Sequence, residues 1–81
     1  MNTIFKRNQL VRININPDPE YIEYNFENNE EADKVEIKKG MKGKINMLLP
    51  NGQYHVEILD SKGNIIAYAP FSEDNLEAIK E

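Results

Sequence analysis

The chain has 81 residues, 30% of them charged, with a formal net charge of −4, one histidine and no cysteine. A length of this order holds a single hydrophobic core and buries only about 60% of the surface of the unfolded chain, and the composition excludes disulfides and the usual Cys/His zinc sites as staples. No run reaches the ~18 apolar residues of a membrane span, and Lys6 and Arg7 are followed by no apolar stretch, so neither a spanning helix nor a secretory signal is expected and the expected address is the cytoplasm.

Residues 9–15 alternate, with Val11, Ile13 and Ile15 against Arg12 and Asn14, which predicts a half-buried strand. Asn16-Pro17-Asp18-Pro19 ends it, because two prolines remove two backbone donors. Residues 21–26 alternate again, with Ile22, Tyr24 and Phe26 opposite Tyr21, Glu23 and Asn25, and read as a peripheral strand. A polar turn over 28–33 and a short alternation at Val35 and Ile37 lead to the glycine turn around Gly40 and Gly43. The next strand, 44–49, is expected to place Ile45, Met47 and Leu49 on one face. Pro50-Asn51-Gly52 is the strongest local signal, since Asn-Gly supplies the positive φ of a tight hairpin. Its return strand, 53–60, puts Tyr54, Val56 and Ile58 on one face, and a second turn over 60–64 leads into a strand at 65–69. Ser72-Glu73-Asp74 reads as an N-cap with acids in the first turn, with Leu76 and Ile79 on one face of a short helical turn.

Five or six short strands joined by tight turns predict an all-β fold, a small barrel or sandwich that hides its edges. The charge is partitioned along it. Residues 16–36 hold eight carboxylates against Lys34, a net of −7, while the remainder holds nine basic and six acidic residues, a net of +3.

The stretch 39–77 resembles small bacterial and phage proteins with an SH3-like barrel. The shared pattern is a glycine turn (Gly40, Gly43, Ile45), an aromatic-aliphatic strand (Tyr54, Val56, Ile58), an Asp-x-x-Gly turn (Asp60, Gly63) and an acidic turn ending in leucine (Glu73, Asp74, Leu76). The glycine turn also resembles the KOW motif of ribosomal and elongation proteins. The resemblance implies a small SH3-like barrel acting as a binding accessory that stabilises, regulates or neutralises a partner. Signalling SH3 domains hold polyproline with an Ala-Leu-Tyr-Asp-Tyr loop and a groove tryptophan. This chain has no tryptophan, so polyproline binding is not expected.

Catalysis is not expected either. The hydroxyls are Thr3, Ser61 and Ser72, and His55 alternates onto the outer face beside Glu57 rather than toward any of them. The 60–64 turn has Lys62 where a calcium loop needs an oxygen, and 38–45 lacks both the first glycine and the hydroxyl of a phosphate loop. No cofactor and no metal are expected.

Two surfaces remain. The acidic arm carries Asp18, Glu20, Tyr21, Glu23, Glu27, Glu30 and Glu31, combining charge for steering with aromatics for anchoring, a composition suited to a basic protein partner. The plainer alternative places Ile22, Tyr24 and Phe26 in the core and leaves the acids as a solvated loop, with Tyr21 the residue free to make contact. The second surface is Lys38, Lys39, Lys42 and Lys44 at the glycine turn, where phosphates of a nucleic acid or the ribosome could approach. An exposed edge strand would also admit homodimerisation.

Overall fold

Alternation of β-branched and polar residues, punctuated by glycine and proline, produces six strands: β1 (Leu10–Ile13), β2 (Glu23–Tyr24), β3 (Lys42–Leu48), β4 (Tyr54–Leu59), β5 (Ile65–Phe71) and β6 (Leu76–Ala78). The computed structural model describes residues 5–27 and 30–79; Thr3, Asn28 and Asn29, which figure in the expectations above, lie outside the described residues. The strands form one antiparallel sheet in the order β2–β5–β4–β3–β1–β6. The helical elements among the described residues are three single 3-10 turns, Pro19–Tyr21, Ala32–Lys34 and Glu73–Asn75.

With no α-helix among the described residues to cover it, the sheet must bury its apolar face by curling on itself. One cluster takes in Val11 and Ile13 from β1, Ile45 from β3, Tyr54, Val56 and Ile58 from β4, Ala67, Ala69 and Phe71 from β5, and Leu76 from β6. Phe5 and Ile37 close its ends, with Phe5 edge-on to Tyr54 at 5.4 Å between ring centroids. Burying each such Val, Ile or Phe side chain is worth about 1.5–3 kcal/mol, so the eight named here can hold a chain that lacks any covalent staple.

Both hairpins use the same turn. Gly52 N–H donates to Leu49 O and Gly63 N–H to Asp60 O, each at 3.0 Å, and each glycine has φ near +88°. Among the described residues Asn8 is the non-glycine with positive φ, so Asn51 does not share that role. The Pro50-Asn51-Gly52 loop is therefore a three-residue connection with one left-handed glycine, not a two-residue Asn-Gly turn, because proline in the first position fixes φ near −65°.

Five further expectations change. The first strand stops at Ile13, and Ile15 beyond it is exposed, since the prolines that follow cannot pair. The peripheral strand shrinks to Glu23–Tyr24, because Pro19 and the Asp18 side chain, which accepts from Glu20 N–H at 3.0 Å, favour a 3-10 turn up to Tyr21. In β3 a bulge between Ile45 and Met47 shifts the alternation, so Met47 pairs with His55 and both Met47 and Leu48 are exposed. Ser72 makes no side-chain cap; its Oγ accepts from Asn75 Nδ2 at 3.0 Å, and Leu76 starts β6 rather than a helical face. Val35 and Ile37 pack onto the core from an irregular segment, not a strand.

Candidate functional site: an acidic arm and a basic face

The connection between β1 and β3 divides its labour by residue type. Ile22, Tyr24 and Val35 pack against the core, and Ala32 and Ile37 are buried. Asn25 N–H donates to Ile66 O at 2.8 Å and its Nδ2 donates to Ile65 O at 3.0 Å, stitching β2 to the edge of the sheet beyond its two ladder positions. The apolar pins fix the path of the chain, and the charged residues between them face outward.

Asp18, Glu20, Glu23, Glu27, Glu30 and Glu31 are all exposed. Asp18 is engaged in capping the first 3-10 turn, and Glu31 lies 3.5 Å from Lys34 in an exposed ion pair. Tyr21 is 63% exposed, as the alternation predicts. Phe26 is 51% exposed, which corrects the expectation that it joins Ile22 and Tyr24 inside. The reason is local: β2 ends at Tyr24, and Asn25 Oδ1 accepts from Glu27 N–H at 3.1 Å, turning the chain so that alternation no longer holds at Phe26. Its ring leans on Tyr24 at 6.4 Å between centroids.

On β3, Lys42 and Lys44 project outward on either side of the buried Gly43. Arg12 stands directly opposite Lys42 in the β1–β3 register, and its Nη1 donates to Gly40 O at 2.6 Å. The arginine thus belongs to the lysine turn, though it lies 28 residues away in sequence. Its outward position was legible from the Val11/Ile13 alternation; its contact with the turn was not. Lys38 and Lys39 are exposed at the turn itself, where Lys39 N–H donates to Asn16 Oδ1 at 2.8 Å. Among the described residues none of these five cations has a carboxylate within 4.0 Å. Arg12, Lys38 and Lys42 line one side of an open groove of about 490 Å³, and Asp60 and Ser61 of the β4–β5 turn line the other.

Asp60 Oδ1 accepts from both Lys62 N–H and Asn64 N–H at 2.9 Å. These bonds, the Asn64 backbone contribution foremost, together with the Lys62 charge outweigh the opposing effect of desolvation and lower its pKa from 3.8. A depressed carboxylate pKa means that the stabilisation is present above the unfolded value and is lost as pH falls through the folded one. Asp60→Ala should therefore flatten the acid limb of the stability profile below pH 3.8, whereas Asp60→Asn keeps the acceptor and loses only the charge. Chemical denaturation from pH 6 down to about pH 2 reads this directly; an unchanged acid limb in Asp60→Ala would refute the turn's role.

His55 sits on the outer face as the alternation predicts. Its Nδ1 lies 2.9 Å from Asn46 Nδ2, and its ring stacks on Tyr68 at 5.5 Å between centroids and 14° between planes. Neither Ser61 nor Ser72 bonds to it. Among the described residues no three His, Cys, Asp or Glu side chains converge as metal ligands would, and no helix is long and apolar enough to cross a membrane. No protein-family model, no curated protein and no solved structure matches the chain.

Proposed function

We propose that this chain is a non-enzymatic protein-binding module that docks a basic partner through its acidic arm, as a cytoplasmic regulator, inhibitor or antitoxin-like accessory would. The observation that carries the reading is the exposure of Tyr21 and Phe26 among unburied carboxylates, on a segment whose path is set by other residues. Large aromatics are the side chains that contribute most when buried at an interface, and a surrounding field of one sign steers a partner of the other. The SH3-like character implied by the sequence resemblance is part of the same reading. It is supported by the tight hairpins and by the 3-10 turn immediately before the last strand.

A second reading is a KOW-like contact with nucleic acid or the ribosome through Lys38, Lys39, Lys42 and Lys44. Arg12 favours it, because a guanidinium tied to the glycine turn adds a fork-shaped donor to four ammonium groups. Against it stand the two carboxylates, Glu36 and Asp60, that line the same groove.

Reversing Glu23, Glu27, Glu30 and Glu31 to lysine should abolish retention of a nuclease-resistant partner from the native lysate, and reversing Lys39, Lys42 and Lys44 to glutamate should leave it intact. The opposite pattern, with binding that falls by roughly one power of salt concentration per phosphate contacted, would transfer the function to the basic face. All seven positions are at the surface, and circular dichroism of each variant checks that the sheet is retained.

A further inference from the structure

Five large hydrophobic side chains are exposed among the described residues: Ile15, Tyr21, Phe26, Met47 and Leu48. Tyr21 and Phe26 lie in the acidic arm. Met47 and Leu48 lie elsewhere, thrown outward by the β3 bulge, and form one wall of an open groove of about 500 Å³ floored by Phe5 and Tyr54. Lys6 and Arg7 form its rim. Both are exposed, and neither has a carboxylate within 4.0 Å among the described residues.

The two patches are complementary in both respects that matter for association. One offers protruding aromatics in a segment of net charge −7; the other offers a concave apolar floor beneath two cations, on a body of net charge +3. We infer that the groove takes the acidic arm of a second copy of this chain, with Tyr21 or Phe26 on the floor and arm carboxylates against Lys6 and Arg7. The contact joins two different surfaces, so each copy keeps one arm and one groove to offer. The inference rests on the arm being a docking element, as proposed above. It adds that self-association and partner binding compete for that arm.

The test uses full-length purified protein in sedimentation equilibrium, with two variants confined to exposed positions. Tyr21→Ser with Phe26→Ser removes the arm's anchors and leaves the groove; Met47→Glu with Leu48→Glu spoils the groove and leaves the arm. The wild type should rise above its 9.4 kDa protomer mass with concentration, and fall back toward it when salt is raised from about 0.05 M to about 0.5 M. Each variant alone should associate about tenfold or more weakly than the wild type. An equimolar mixture of the two should recover association, because the live arm of one meets the live groove of the other. A wild type that stays at protomer mass throughout, or a mixture no better than its components, overturns the inference. Partner capture through the arm by such a monomeric protein would leave the proposed function standing, so the two failures are distinguishable.

Discussion

Phe71→Ala should lower the melting temperature by about 12 °C or more. Phe71 is 1% exposed, is the largest of the fully buried side chains and faces Tyr54 in the β4–β5 register. Truncating a buried phenylalanine to alanine costs about 3–5 kcal/mol, the lost transfer energy plus that of the cavity left behind. A chain of 81 residues has a total stability of order 4–12 kcal/mol. The loss therefore takes between about a quarter of that margin and all of it. Thermal melts followed by circular dichroism decide the matter. Since about 1 kcal/mol moves the midpoint by roughly 4–8 °C in a domain of this size, a fall of less than about 10 °C would mean that the core does not depend on this ring. Phe71→Leu, which keeps most of the volume, should be far milder.

Gly43→Ala should destabilise the protein although it adds a single methyl group to a strand. Gly43 is buried where β1, β3 and β4 run side by side, opposite Val11 on one flank and Ile58 on the other. A Cβ there would come within 2.5 Å of Val56 Cγ1 and 3.3 Å of Glu57 O. The short, branched valine inside a packed core cannot swing aside, and the backbone carbonyl is held in the ladder. Overpacking of this kind costs about 1–3 kcal/mol, and Gly43→Val should cost more. By contrast Gly40, Gly52 and Gly63 have open space around the site of a Cβ, and their requirement is the positive φ. Double substitution of Gly43→Ala with Val56→Ala separates the causes, since removing the obstructing methyls should recover part of the loss if the clash is its source. Urea denaturation of the four-member cycle measures the coupling.

The class of the fold could be read from the chain because its signals are local. Alternation at Val11/Ile13 and at Tyr54/Val56/Ile58, and glycines at 52 and 63, are decided within a few residues of themselves. What could not be read depends on contacts between distant segments. The bulge that turns Met47 and Leu48 outward is a feature of the β3–β4 register, which no single window of sequence reports. Asn25, which turns the chain so that Phe26 leaves the core, is itself anchored 40 residues away on Ile65, a contact that no local window of sequence shows. Gly43 looked like part of a turn with Gly40, and only the approach of Val56 shows why a strand position needs a glycine. Arg12 was visible as an outward residue, but its membership of the basic face required the β1–β3 register and the Gly40 carbonyl. The acidic arm was legible as a charged excursion, whereas which of its aromatics are pins and which are displayed was not.

The separation of pins from displayed residues in that arm has an evolutionary consequence. Ile22, Tyr24, Ala32, Val35 and Ile37 hold the segment to the body, while Tyr21, Phe26 and most of the carboxylates are exposed. Substitutions in the displayed set should therefore come at little cost to folding, as surface changes away from packing usually shift stability by no more than about 0.5 kcal/mol. Extra residues inserted between pins are tolerated too, since even doubling a flexible loop costs only about 0.6 kcal/mol. Under the docking role proposed for the arm, a lineage carrying this fold could retarget it step by step while the sheet beneath it is kept. Such a family would diverge fastest at the exposed positions between Asp18 and Glu36, and slowest at Gly43, Val56 and Phe71.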